Sequence, residues 1–310
     1  MVVVESALRR QIMDALERRT ALSGGFLTRD ELSDFPIGDG SRRRLIDRAR
    51  GIWNPRDLVA TLSVVSSPGS RHGYDDREVL GGLFHYSYRA GSPQGDNTKL
   101  RRAWELELPI ILLRKIADGV YVPIFPVYVI EDDTVAREFV LALVEGLRFL
   151  PDPLNPTDAE RRYAERVVKQ RLHQPEFRGR VIRAYDVRCA VCNLEVGQLL
   201  DAAHIVSDGD ELGQPVVQNG LSMCKIHHAA FDQHLLGITP DYEVRLNHEL
   251  LDIIDGPMLR HGLQEMHGRQ LTLPRRRDDH PDPERIDLRY MDFMNVDIGT
   301  TVYVQPQRDG

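Results

Sequence analysis

RCAVCN at 188–193 and DAAHIVSDGDELGQPVVQNGLSMCKIHHAAFDQHLLGI at 201–238 decide how the rest of the chain is read. All three cysteines of the protein lie in these two stretches. Cys189 and Cys192 form a C-x-x-C pair, and Cys224 and His227 a C-x-x-H pair with the same two-residue gap. Two close pairs of soft ligands separated by a longer loop are what tetrahedral zinc requires. Taken singly, a C-x-x-C is also compatible with a buried pair or a redox couple, and an isolated histidine with a core or surface position. Jointly, the pairs bracket three further polar residues, His204, Asn219 and His228, which stand outside the zinc set and read in order H, N, H.

The segment Tyr185–Leu246 resembles an HNH nuclease module, the zinc-braced form of the ββα-metal fold. That family runs C-x-x-C, an apolar strand ending in A-H-I, then N-G-L, then C-x-x-[C/H]-H opening a helix. Here the corresponding pieces are CAVC, DAAHI, QNGLSM and CKIHH. The resemblance implies that Cys189, Cys192, Cys224 and His227 hold a structural Zn2+. It implies that His204 is the general base, since an imidazole titrates near working pH. A divalent cation, Mg2+ or Mn2+, would stabilise the phosphate and the departing oxygen, gripped by His228. Asn219 would fix the loop that orients His204, because an amide donates and accepts at once. One position departs from the pattern: many such nucleases carry Asp directly before the first His, where this chain has Ala203. The nearest acids are Asp201 and Asp232, which become the candidates to complete the catalytic-metal shell.

The 310 residues, 42% of them hydrophobic, suffice for two modest domains. No apolar run reaches the roughly eighteen residues of a membrane span, and the start MVVVESALRRQ lacks the layout of a secretory signal. Three cysteines assigned to metal fit a reducing compartment, so a bacterial cytoplasm is expected and no membrane. The formal charge of −7 is unusual for a protein that neutralises phosphates. It hides basic stretches at 42–50, 99–102 and 177–183.

Apolar spacing over 5–18 predicts an amphipathic helix, Thr28 and Glu31 a capping box for a short one, and Ser41 the cap of a helix through Ala49 carrying Arg42, Arg43 and Arg44. From Trp53 to Val129 the segments LVATLSVVSS, EVLGGLFHYSY, PIILLRKI and YVPIFPVYVI are apolar or alternating and β-branched, predicting strands with one helix at NTKLRRAWELE. The order GYDD at 73–76, GGLFHY at 81–86, GDNTKLRRA at 95–103 and DGVYVPIFPVYVI at 118–130 resembles the SRA domain, a PUA-like barrel that recognises modified cytosine. That resemblance implies a flipped base stacked between Tyr74 and Tyr86, its exocyclic amine accepted by Asp75 or Asp76. Tyr74 as a turn residue and Tyr86 as core remain the plain alternatives. PDPLNP at 151–156 marks a boundary, and Arg178, Arg180, Arg183 and Arg188 are candidate phosphate contacts that carry no sequence information.

The expected fold class is α+β: an N-terminal SRA/PUA-like β-barrel with flanking helices and a C-terminal ββα-metal HNH domain with structural zinc. Expected divisions are a helical segment at 1–50, the barrel at 51–135, a helical linker at 136–176, the nuclease at 177–248 and an extension at 249–310. The extension is expected to pack back on the nuclease or to build a dimer contact. The combination resembles SRA–HNH modification-dependent restriction endonucleases, the TagI- and McrA-like group. It implies cleavage of double-stranded DNA carrying 5-methylcytosine or 5-hydroxymethylcytosine. Cutting both strands needs two sites, so a homodimer is expected. The alternatives are a modified-DNA reader that does not cut, and an HNH nuclease whose barrel reads another modified base.

Overall fold

The computed structural model describes residues 2–67, 77–78, 83–88 and 95–295, and the chain divides into two compact units, 1–179 and 180–310. The first unit opens with helix α1 (Val2–Leu22), strand β1 (Leu27–Thr28), helix α2 (Arg29–Ser33) and the short strands β2 (Phe35–Pro36), β3 (Arg42–Arg43) and β4 (Ile52–Trp53). Then come β5 (Ser63–Ser66), β6 (Arg77–Glu78), β7 (Phe84–Ser87), helix α3 (Asp96–Glu105), β8 (Ile110–Ala117), β9 (Val120–Asp133) and β10 (Glu138–Ala142). Helix α4 (Asp158–Val168), a π-helical turn over Lys169–His173 and helix α5 (Gln174–Ala184) follow.

Eight strands form one curled half-barrel sheet in the order β4-β5-β8-β9-β10-β7-β6, with β1 added beside β9. All pairings are antiparallel except β5 with β8. The long β9 pairs β8 along one part and β10 along the rest, which lets one strand serve both ends of the curl. Ile110 and Leu112 of β8 enter one apolar cluster with Val122, Ile124, Phe139 and Leu141. Ile111 and Leu113 enter another with Ile12 and Leu16 of α1 and with Tyr121. The IILL run is thus continuous rather than alternating because both of its faces are covered. At the end of the run the almost fully buried Arg114 binds Glu176 at 2.9 Å and Ser66 at 2.9 Å.

Two sequence expectations are corrected. Ser41–Ala49 is not a helix but strand β3 and turns, with the Leu45 amide donating to Leu32 O at 2.7 Å and Arg44 O accepting from the Trp53 indole at 2.8 Å. A helix would withdraw those backbone groups from their partners in Leu32 and Trp53. Glu138–Ala142, expected in a helical linker, is instead the interior strand β10, wholly buried between β9 and β7. Its five consecutive buried positions suit a strand covered on both faces. A turn with Arg137 at φ 59° joins it to β9.

The second unit continues with β11 (Leu200–His204), β12 (Gly220–Cys224), helix α6 (Lys225–Asp232), β13 (Leu236–Ile238), β14 (Val244–Leu246), α7 (His248–Asp252), α8 (Pro257–Gly262) and α9 (Pro283–Asn295). β11 and β12 pair antiparallel from Leu200↔Cys224 to His204↔Gly220, and α6 starts directly after β12. α9 packs on β13. Gly237 allows this, because a Cβ there would lie 2.5 Å from the Phe293 ring. No helix among the described residues is long and apolar enough to cross a membrane.

Candidate active site and metal centre

Helix α5 ends where Asp186 and Val187 turn left-handed, at φ 52° and 58°, and the chain enters the C-x-x-C knuckle. The Ala190 amide donates to Ser222 O of β12 at 2.7 Å, which lays the knuckle against the end of the hairpin. The donor atoms of Cys189, Cys192, Cys224 and His227 all fall within 4.8 Å of one another. His227 turns Nδ1 towards the sulfurs, 3.1 Å from Cys224 Sγ and 3.5 Å from Cys189 Sγ, while Nε2 donates to Gly262 O at 2.8 Å. Fixing one ring nitrogen on a carbonyl leaves the other aimed as a ligand.

The electrostatics suit a cation. Burial lowers the pKa of His227, but hydrogen bonds to Cys189 and Cys224 outweigh it and push the value up to about 10. Hydrogen bonds from Cys189 and Cys192 hold Cys224 well below the ordinary thiol range, and those to Cys189 and Cys224 push Cys192 up. Negative charge is therefore favoured on Cys224 Sγ, 3.1 Å from His227 Nδ1. With Zn–S near 2.3 Å, tetrahedral zinc sets its sulfurs roughly 3.8 Å apart, within the span seen here. Three sulfurs and one imidazole nitrogen fit zinc, whose service at a closed four-ligand site is to hold the fold.

The remaining polar residues gather around the same hairpin and helix. Asn219 is fully buried at the end of the short 3-10 turn Val217–Asn219, directly before β12. Its Oδ1 accepts from Val206 N at 2.9 Å, and its Nδ2 donates to Val206 O at 3.0 Å and Gln214 O at 3.1 Å. These bonds tie down the loop that leaves His204, which is half-buried at the last position of β11. His228, on α6, has Nε2 3.3 Å from Asp232 Oδ2 and Nδ1 3.9 Å from Asp201 Oδ2. The two acids and the imidazole expected to share a cation are thus brought together. Sequence reasoning missed Lys225, whose ammonium sits 2.6 Å from Asp201 Oδ2. Its position one residue after Cys224, a candidate metal donor, was the available signal.

Other expected site residues are placed as follows. Tyr86 is buried at 1% exposure within the half-barrel core, its hydroxyl donating to Gly51 O at 3.2 Å. Tyr74, Asp75 and Asp76 lie outside the described residues. Arg178 and Arg180 are half-buried, while Arg183 and Arg188 are exposed, Arg188 pairing with Glu195 at 3.2 Å.

Residues 189–239 match the family model of the HNH endonuclease. No curated protein matches the chain. Among solved structures, a modification-dependent TagI restriction endonuclease is 18% identical over 82% of this chain and 88% of its own, with a TM-score of 0.29. The type IV phosphorothioation-dependent restriction endonuclease ScoMcrA is 14% identical over 59% of this chain and 48% of its own, with a TM-score of 0.21. The family match carries the assignment: an HNH endonuclease domain occupies residues 189–239.

Proposed function

We propose that this endonuclease cuts double-stranded DNA in response to a modified cytosine, 5-methylcytosine or 5-hydroxymethylcytosine, sensed by the first unit. The observation that carries the cleavage half is the gathering of Asp201, His228 and Asp232 beside the β11–β12 hairpin that bears His204 and Asn219. His204 takes the proton of the attacking water as general base. The water oxygen then bonds to phosphorus and the 3′ oxygen departs. Asn219 acts through the loop it braces, fixing the direction of His204. Asp201, His228 and Asp232 would hold Mg2+ or Mn2+, which supplies positive charge to the phosphate and the leaving oxygen when bound. Arg178, Arg180, Arg183 and Arg188 are proposed to meet the DNA backbone, and a homodimer to supply the second site for the second strand.

Modified-base recognition rests on the order of motifs along 73–130 and on the half-barrel sheet that carries part of them. The burial of Tyr86 in the core takes it out of a base sandwich, and in a second reading this unit receives a different modified base. Digestion of matched plasmids, unmethylated, cytosine-methylated and adenine-methylated, in Mg2+ or Mn2+ separates the two. Selective cutting of the cytosine-methylated plasmid supports the first reading. Equal cutting of all three removes modified cytosine and leaves the endonuclease standing.

A further inference from the structure

Helix α9 lies more than forty residues beyond the last residue matched to the HNH family, yet two of its arginines reach both halves of the site. Arg285, only 9% exposed, donates from Nε to Leu212 O at 2.9 Å and from Nη2 to Gln214 Oε1 at 2.5 Å. Gln214 is also held by Asn219, through its backbone carbonyl at 3.1 Å. The excursion between His204 and Asn219 is therefore gripped from inside by the asparagine and from outside by Arg285. Just before α9, the Asp282 amide donates to Gln218 O at 2.9 Å, extending the grip to the residue preceding Asn219.

One turn further along α9, Arg289 meets the other half. Its Nη2 donates to Phe231 O at 2.7 Å, its guanidinium lies 4.7 Å from the Phe231 ring centroid, and its Nη1 is 3.4 Å from His234 Nε2. Phe231 belongs to the last turn of α6, the helix that carries His228 and Asp232. A cation bonded to a terminal carbonyl both satisfies that group and opposes the negative end of the helix. Because Arg285 and Arg289 stand four residues apart, they share one face of a single helix. Phe293 against Gly237 seats that helix.

We propose that Arg285 and Arg289 are positioning residues that set the distance between the His204 loop and the His228 helix. The catalytic consequence rests on the endonuclease reading; the mechanical one does not. The test uses the full zinc-loaded chain and four variants, Arg285→Ala, Arg285→Lys, Arg289→Ala and Arg289→Lys, read by local amide hydrogen exchange and by single-turnover cleavage.

Arg285→Ala is expected to accelerate exchange over 205–219 by about tenfold, with 220–224 unchanged. It should also lower the cleavage rate by about 10–100-fold at unchanged DNA affinity, the range seen when groups supporting site residues are lost. Arg289→Ala should accelerate exchange at the end of α6 and raise the Mn2+ concentration for half-maximal rate by about tenfold. Each Lys variant, keeping the charge but not the fork, should fall between Ala and parent. Parental exchange together with a rate within about twofold of the parent would overturn the proposal, as would acceleration spread evenly over the whole unit. If the Ala variants do not fold, local acceleration in the Lys variants supports the proposal, and its absence overturns it. A parent that never cuts defeats the endonuclease reading alone, because exchange still decides the clamp.

Discussion

Asn219 commits one oxygen lone pair and both amide hydrogens to three backbone groups of the loop it closes, and being fully buried it does not reach a substrate. His204, half-buried at the end of a strand, is the residue from which proton transfer is expected. His204→Ala should lower cleavage by about 10²–10⁴-fold, the usual worth of a general base. Binding to the same DNA should be retained, as read by a gel-shift titration beside the cleavage assay. Near-parental cutting would remove His204 from that role. At this scale the candidate metal donors were legible because short spacings are local: two residues of chain put Cys189 beside Cys192 and Cys224 beside His227, and the fold gathers all four. Arg285 and Arg289 were not legible. Their targets, Gln214 and Phe231, lie far back in the sequence, and no spacing rule spans such a distance.

Among the elements, α2 shows a local signal realised in full. The Thr28 hydroxyl receives the Glu31 amide while the Glu31 carboxylate receives the Thr28 amide at 2.9 Å, and Arg19 adds a 2.5 Å ion pair. Burial raises the Glu31 pKa, but the bonds from Thr28 and Arg19 outweigh it and hold the carboxyl below its ordinary 4.5. The folded state therefore binds this proton less readily than the unfolded chain. Its contribution is present above pH 4.5 and fades as pH falls through the folded value. Glu31→Gln should lower the thermal midpoint of the first unit by about 1–2 °C near neutral pH, for a solvent-screened contribution of about 0.5 kcal/mol. The gap to the parent should close below pH 4.5; a gap constant down to pH 3 would contradict this account. Elements 41–49 and 138–142 were misread because their structure is dictated from elsewhere. Leu32 and Trp53 claim the backbone of the first, and β7 and β9 flank the second.

For the molecule as a whole, two units with separate cores should unfold as two transitions. The first rests on apolar clusters around the half-barrel sheet. The second has smaller elements, and a metal held by Cys189, Cys192, Cys224 and His227 would supply rigidity that short segments burying little apolar surface lack alone. Cys192→Ser should abolish stoichiometric zinc and erase the transition of the second unit in calorimetry, leaving that of the first within about 1 °C of the parent. Tightly bound zinc persisting at one per chain would refute this ligand set.

Strand β8 carries a less evident consequence. With Ile110–Leu113 apolar towards both faces, sliding the strand by one residue would exchange one greasy side chain for another, and the usual oil-and-water penalty against a slip would be weak. Arg114 supplies what the pattern omits. A slipped strand would carry its guanidinium away from Glu176 and Ser66 and strand a bare cation among hydrocarbons. One charged side chain thus acts as a detent, clicking an otherwise featureless ribbon into its single notch.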